Sequence, residues 1–227
     1  MLPPLTEGSH GLPSDAVAPS AGASIATSSV VALVDLLSHW WSRPVPEEVT
    51  NWLGAADLAD LEAKIRAWAP VNMAALAQTN QDPGLLDVYE RLFVGPGPVP
   101  CPPYESFWRE DVPLDVRRSL MGPCTAELRL LYGELGLEMA PASGELPDHV
   151  AVELEALAFA LSSWGTWSSA CAIWSDHLRR WLPRLCHAVA REAGTPFYRE
   201  LAQLTTDWSG ALQRHIELLG GPGPEAG

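Results

Sequence analysis

The amino-acid sequence predicts an all-α protein: a single irregular bundle of about eight or nine helices with one proline-rich loop. Apolar side chains recur at three- and four-residue spacing through most of the chain, which is the spacing of one helical face. No segment shows the sustained apolar–polar alternation of a half-buried strand. Of the 227 residues, 47% are hydrophobic and 19% are charged, a composition that can form a buried core and that excludes wholesale disorder.

The sequence divides into a flexible tail at residues 1–23, an all-helical domain at residues 24–220 and a flexible C-terminus at residues 221–227. The tail is rich in Pro, Gly, Ala and Ser and has no structural period. It has neither a basic start nor a continuous apolar run, so we expect neither a secretory signal nor a transit peptide. Because no apolar run reaches the roughly 18 residues that span a bilayer, we expect a cytoplasmic protein without stable membrane insertion.

The helices of the N-terminal half follow from their apolar stripes. The first ends near Pro44, and a short second helix begins at Pro46, followed by two acidic residues that suit a first turn. The third is predicted over residues 57–68 and the fourth over residues 83–94.

A proline-rich loop interrupts the helical pattern. Residues 95–103 hold five prolines and two glycines, which excludes both a helix and a central strand and predicts a stiff, extended surface loop. Three aromatic residues follow, at Tyr104, Phe107 and Trp108. Aromatic rings on a rigid loop make binding contacts at a low entropic cost, but these rings can equally fold back onto the bundle.

Helical patterns resume after the loop. Two helices are predicted over residues 114–121 and 125–137, and a linker at residues 140–146 precedes a longer helix that begins at Pro147. Two further stripes, from Trp174 to Val189 and from Phe197 to Leu219, predict the last helices.

The tripeptide Pro147-Asp-His149 opens the longer helix. Asp148 can accept hydrogen bonds from the free N–H groups of a helix start, and His149 can respond to charge near neutral pH. Both a helix cap and a binding site are consistent with this tripeptide, and a cap is the more common role.

The charge of the chain restricts its partners. There are 28 acidic residues and 14 Lys plus Arg residues, for a formal net charge of −14, which is the wrong sign for nucleic acid. Fourteen acidic and five basic residues lie between positions 82 and 155, whereas residues 156–227 hold six of each. A ligand with an arginine-containing head and an apolar body fits such a surface.

We find no pattern typical of a catalytic, metal-binding or cofactor-binding site. The six histidines are scattered, and neither a phosphate-binding glycine motif nor a nucleophile motif is present. Glu153 and Glu155 lie two positions apart and do not share a helix face, so we expect a solvated face rather than an acid–base pair. The four cysteines lack C-x-x-C spacing, which is consistent with a reducing compartment. We therefore expect no enzymatic activity, no metal ion and no cofactor.

Sequential motifs resemble those of the TorD/DmsD/NarJ family of molybdoenzyme maturation chaperones. The motifs are Tyr89-Glu-Arg-Leu-Phe-Val-Gly-Pro96, Pro102-Pro-Tyr-Glu-Ser106 and Pro147-Asp-His-Val-x-x-Glu-Leu154. The resemblance extends through His177-Leu-x-x-Trp-Leu-Pro183 and Pro196-Phe-Tyr-x-x-Leu-Ala202, and so covers about residues 30 to 215.

The resemblance implies a cytoplasmic chaperone without chemistry of its own. Such a protein binds the twin-arginine signal peptide and the apo-precursor of a DMSO-reductase-family molybdoenzyme, and holds the precursor for insertion of the molybdopterin cofactor before export. Carried over by motif, the candidate signal-peptide-binding residues are Tyr89, Leu92, Phe93, Pro102, Pro103, Tyr104, Trp108, Asp148 and His149.

Two other functions stay open at this point. The chain can be a stable accessory subunit of a mature oxidoreductase complex, which requires a wide apolar patch. It can also be a small helical hydrolase, for which no nucleophile–base pair is visible. As a chaperone it is expected to be a monomer or a domain-swapped dimer, with residues 140–146 as the hinge.

Overall fold

The computed structural model describes residues 5–7, 21–44, 55–66, 73, 76, 84–113, 121–140, 144–163 and 166–218. The short helix predicted from Pro46, nearly all of the helix predicted over residues 114–121, part of the 140–146 linker and the 221–227 segment lie outside these residues.

The described residues are 74% helical and include only two three-residue strands, which confirms the predicted all-α class. In chain order the helices are α1 (Ala21–Trp41), α2 (Ala55–Ile65), α3 (Leu85–Tyr89), α4 (Glu105–Trp108), α5 (Pro123–Glu134), α6 (Val150–Ser162), α7 (Trp167–Ala172), α8 (Arg179–Glu192) and α9 (Pro196–Leu218). None of them combines the length and the apolarity needed to cross a bilayer.

Two of the helices continue into π-helical turns. α3 runs on through Glu90–Val94, and α7 joins α8 through Ile173–Leu178. A π turn holds more residues per turn than an α-helix, and such turns are frequent at functional sites.

A short antiparallel pairing joins distant parts of the chain. The strand β1 (Leu5–Glu7) pairs with β2 (Leu137–Met139). β1 and the first residues of α1 therefore lie within the segment for which the sequence predicts a tail. β2 follows α5, which ends before the predicted residue 137 because Gly136 takes a positive φ of 71° and turns the chain out of the helix.

The core is built around α1 and α6. The apolar stripe of α1 includes Leu33 and Leu37, which are fully buried, and packs along α6. The hydroxyl of Ser38 donates to the carbonyl of Ala151 in α6 at 2.9 Å, and the indole N–H of Trp41 donates to Thr205 in α9 at 3.0 Å. α8 packs on α9 and completes this part of the bundle.

Candidate functional site

The proline-rich loop leaves the first π turn through a conformation that requires glycine. Gly95 has a φ of 103°, and a Cβ atom at this position would lie 3.3 Å from the backbone nitrogen of Gly97. The N–H of Gly95 donates to the carbonyl of Glu90 at 2.7 Å, five residues back. The carbonyl of Leu92 then accepts the N–H of Cys101 at 3.0 Å, so the loop returns to the helix from which it left.

We call residues 101–111 the strap. It carries the three aromatic rings, which the sequence predicts either to make binding contacts or to fold back onto the bundle. The indole N–H of Trp108 donates to the carbonyl of Pro102 at 2.7 Å, and its ring meets Phe107 edge-on at a centroid distance of 5.2 Å. The side chains of Tyr104, Phe107 and Trp108 are all partly buried. The rings thus pack partly onto the molecule and keep a part of their surface exposed.

The strap is joined to the start of α6 through backbone pairing. Tyr104 and His149 form an isolated antiparallel bridge. The N–H of Glu105 donates to the carbonyl of Asp148 at 2.9 Å. The second and third sequence motifs are therefore in direct contact, although more than 40 residues separate them along the chain.

Asp148 is fully buried and caps a helix other than its own. Its Oδ2 atom accepts the N–H of Ser106, in the first turn of α4, at 3.2 Å. Its Oδ1 atom accepts the hydroxyl of Thr125 at 3.4 Å. Burial raises the pKa of the carboxyl group, and the hydrogen bonds from Ser106 oppose this shift. The expectation that Asp148 caps the helix it precedes is wrong, because its side chain is directed to the strap.

His149 takes the cap position of α6, which begins at Val150 rather than at Pro147. The Nδ1 atom accepts the N–H of Ala151 at 3.2 Å. The ring is buried and meets Tyr104 edge-on at 5.3 Å. Burial lowers the pKa of His149 to about 3, so the ring is neutral near pH 7. The expectation that it titrates near neutral pH is wrong.

The three predicted site residues of the first motif lie in the core. Tyr89, Leu92 and Phe93 are all buried, and the Phe93 ring lies 5.0 Å from Tyr89, 5.4 Å from Tyr198 and 6.0 Å from Trp41. Burial and the nearby Glu145 raise the pKa of Tyr89. These side chains belong to the core and are not exposed.

The remaining predicted residues divide between surface and interior. Pro102 is partly exposed, like Tyr104 and Trp108, whereas Pro103 is buried and its carbonyl accepts the N–H of Val150 at 2.9 Å. The exposed portion of the candidate site is thus formed by Pro102, Tyr104 and Trp108.

Glu145 joins this surface and was missed in the sequence because it falls within the predicted linker. The hydroxyl of Tyr104 donates to Glu145 Oε2 at 3.4 Å, and the Nε2 atom of His149 lies 3.8 Å from the same oxygen. The side chain is one-third exposed, and burial raises the pKa of its carboxyl group. Glu145 lies two residues before Pro147, where the third motif begins, and this closeness to the motif could have identified it.

A third fully buried carboxyl group, besides Asp148 and Glu105, belongs to Glu153. The indole N–H of Trp181 donates to its Oε2 atom at 3.3 Å. Burial, followed by the charges of Glu105 and Asp148, raises the pKa of Glu153 well above its ordinary value. The predicted solvated face is wrong at this position, because α6 is buried on nearly all sides.

Glu105 forms the centre of a charged network. Its carboxylate accepts a hydrogen bond from Arg109 at 2.5 Å and lies 2.8 Å from the Nδ1 atom of His177. The Nε and Nη2 atoms of Arg109 each donate to Asp111 at 2.6 Å, and Nη1 donates to the carbonyl of Asp176 at 3.0 Å. Arg109 holds the pKa of Asp111 well below its usual range. The network connects the strap to the second π turn.

The structure offers no reactive thiol or metal cluster within the residues it describes. All four cysteines are free and buried, and burial raises the pKa of Cys101 to about 11, which disfavours the thiolate. In this part of the chain no three His, Cys, Asp or Glu side chains converge so that they could hold a metal ion.

Comparison with known proteins gives consistent matches. A family model described as "nitrate reductase delta subunit" matches residues 54–187. Over 138 residues the chain is 35% identical to the Tat proofreading chaperone DmsD of Salmonella typhi and 33% identical to that of Salmonella paratyphi A. Each alignment covers 61% of this chain and 64% of the relative, a little less than two thirds of its length. A solved structure from Archaeoglobus fulgidus, described as a candidate redox enzyme maturation protein, covers 87% of this chain and 97% of its own at 19% identity and a TM-score of 0.46.

Proposed function

The chain belongs to the nitrate reductase delta subunit family, which includes the TorD, DmsD and NarJ chaperones, and from this membership we propose that it is a maturation chaperone for a molybdoenzyme. It binds the twin-arginine signal peptide and the apo-precursor of a DMSO-reductase-family enzyme in the cytoplasm, and holds the precursor until molybdopterin has been inserted. The relatives are named as chaperones rather than as catalysts, which agrees with the absence of enzymatic activity that we expect.

The observation that carries this proposal is the surface of the strap. It presents partly exposed rings on a backbone that is hydrogen-bonded along its length, beside the half-buried carboxylate of Glu145. A rigid aromatic surface binds an apolar segment with little loss of entropy, and a carboxylate accepts hydrogen bonds from a guanidinium group. The predicted ligand has both of these chemical features.

The nine predicted site residues divide into two roles in this proposal. Pro102, Tyr104 and Trp108 contact the signal peptide directly. The buried residues hold this surface in place from within. They are Pro103 in the strap, Asp148 and His149 beside it, Tyr89 at the end of α3, and Leu92 and Phe93 in the π turn that follows α3.

Replacement of the exposed rings tests the proposal. We expect Tyr104→Ala and Trp108→Ala each to weaken binding of a synthetic twin-arginine signal peptide about tenfold, because a ring at an interface contributes about 1–2 kcal/mol. Isothermal titration calorimetry measures this affinity, and a thermal melt of each variant verifies that it is folded.

Two controls make this experiment specific. Leu130→Ala removes a large side chain that is 72% exposed on α5 and should leave the affinity unchanged. A peptide in which both arginines are replaced by glutamine should bind more weakly than the parent peptide. Full affinity in folded Tyr104→Ala and Trp108→Ala variants would exclude the strap as the contact surface.

A stable accessory subunit of a mature oxidoreductase is the second candidate, since the matching family model is itself described as a subunit. Affinity purification from the native cells, followed by mass spectrometry, separates the two functions. A chaperone recovers a molybdoenzyme precursor that still carries its signal peptide. A subunit recovers the mature, cofactor-loaded enzyme in near-stoichiometric amount.

A further inference from the structure

We propose that Arg109 is a positioning residue for the signal-peptide surface: by joining the strap to the second π turn, it sets where Tyr104 and Trp108 are presented. This inference rests on the proposed function. It assigns the placement of the two exposed rings to residues that do not themselves contact the peptide. None of the sequence motifs identifies Arg109 for this role.

The strap is attached to the bundle on two sides. On one side, the N–H groups of Glu105 and Ser106 donate to Asp148, at the start of α6. On the other side, Arg109 and Glu105 contact the second π turn, which lies between α7 and α8. Both exposed rings lie within the five residues from Tyr104 to Trp108, so the two attachments together fix their position.

The second attachment depends on the π turn. The hydrogen bonds of a π turn reach one residue further than those of an α-helix, so nearby carbonyl groups leave the α-helical pattern. The carbonyl of Asp176 accepts Arg109 Nη1 at 3.0 Å, and the carbonyl of Ser175 accepts Arg180 Nε at 3.3 Å. The same turn places His177 at 2.8 Å from Glu105.

Arg109 contacts three partners at once, and its side chain is buried, whereas Arg180, which also contacts three partners, is exposed. The five N–H donors of Arg109 have a fixed planar arrangement that matches the Asp111 carboxylate and leaves Nη1 for Glu105 and the Asp176 carbonyl. A lysine at this position keeps the charge but cannot reproduce these contacts. The position of the strap therefore depends on the shape of this side chain and not only on its charge.

A pair of charge-conserving variants tests the inference. We expect Arg109→Lys to weaken binding of the synthetic twin-arginine signal peptide about tenfold, by loss of charge-assisted hydrogen bonds. Arg199→Lys is the matched control, since Arg199 also donates to a backbone carbonyl, that of Ala193 at 3.2 Å, but forms no hydrogen bond with the strap among the described residues. We expect it to bind like the wild type.

A second pair of variants tests the inference if Arg109→Lys does not fold. Asp111→Asn removes an exposed partner of Arg109, whereas Asp176→Asn makes the same change of charge nearby and leaves the backbone carbonyl of residue 176 in place. We expect Asp111→Asn to bind the peptide about threefold more weakly than Asp176→Asn. Only Asp111→Asn weakens the paired hydrogen bonds that hold the guanidinium group of Arg109.

A double-mutant cycle with Trp108→Ala distinguishes positioning from a general structural role. If Arg109 acts through the ring, the loss of affinity caused by Arg109→Lys is smaller in the Trp108→Ala background than in the wild type. Equal losses in both backgrounds overturn the inference, as does wild-type affinity of the Arg109→Lys and Asp111→Asn variants. In those cases wild-type binding of the peptide still supports the proposed function, whereas a wild-type protein that does not bind the peptide overturns both.

Discussion

At the scale of single residues, His149 makes the stability of the folded chain depend on pH. Its ordinary pKa of 6.5 is lowered by burial to about 3 in the folded chain. Between these values the unfolded chain binds a proton and the folded chain does not, so the folded state loses stability as the pH falls below about 6.5. Asp148 and Glu153 act in the opposite direction, because their pKa values are raised in the folded chain.

The contribution of His149 can be isolated with His149→Asn. Asparagine is a good N-cap residue and still offers an acceptor to the N–H of Ala151, but it does not titrate. We expect the variant to be less stable than the wild type at pH 7, by about 1 kcal/mol, through lost ring packing. The deficit should shrink by at most about 1.4 kcal/mol for each pH unit below 6.5.

Urea denaturation between pH 7 and pH 5 measures this difference. His187→Asn is the matched control, because His187 is exposed on α8. A constant difference between His149→Asn and the wild type across this pH range would show that His149 titrates equally in the folded and unfolded chains.

At the scale of elements, α8 contains a residue that disfavours a helix. Pro183 lies inside the helix, is exposed and has no N–H to donate to the carbonyl of Arg179. The helix forms nevertheless, because its apolar stripe is buried and includes Trp181 and Leu185.

We expect Pro183→Ala to raise the free energy of unfolding by about 1–3 kcal/mol, since alanine restores the hydrogen bond and has the best helix propensity. Ala190→Pro, at another exposed position of the same helix, should lower it by about 3 kcal/mol. Chemical denaturation measures both changes. A decrease with Pro183→Ala would show that the structure before the proline, including the second π turn, requires it.

Some elements of the fold can be predicted from the sequence and others cannot. The buried stripes of α1, α8 and α9 follow a local period, and five prolines define the loop, so these elements could be read from neighbouring residues. The strand β1 could not, because it depends on pairing with β2 more than 100 residues away. The burial of Glu153 was also missed, since the periodicity of one helix does not show that neighbours cover its other faces.

The candidate site was predicted only in part, because it too depends on contacts between distant segments. Motifs indicated which segments matter, and the structure brings the second and third of them together at Tyr104 and His149. Which side chains are exposed depends on packing between segments, so the sequence did not distinguish buried Phe93 from partly exposed Trp108.

At the scale of the whole molecule, charge is distributed unevenly. The chain carries a formal net charge of −14, and half of its 28 acidic residues lie between positions 82 and 155, where the strap and Glu145 are found. Such a field accelerates the approach of a cationic ligand and is screened by salt within about 10 Å at 0.1 M ionic strength.

We therefore expect the association rate constant of the twin-arginine signal peptide to fall roughly tenfold between about 50 and about 500 mM salt, with little change in the dissociation rate constant. Stopped-flow measurements separate the two constants. The peptide with both arginines replaced by glutamine should show a weaker dependence. If the dissociation rate constant carries the salt dependence instead, charge acts in the bound complex and not during approach.

The π turn at Ile173–Leu178 also makes the site sensitive to the length of the chain. This turn accommodates one residue more than an α-helix would over the same rise. Deleting a single residue here would convert it into continuous α-helix and leave the residues on either side on the faces they already occupy, because the turn holds the extra residue without added rise. The carbonyl of Asp176 would then return to the α-helical hydrogen-bond pattern and be lost to Arg109, while every side chain in the network kept its identity. A one-residue deletion, which is usually considered harmful to a helix, would here preserve the helix and remove the anchor of the strap.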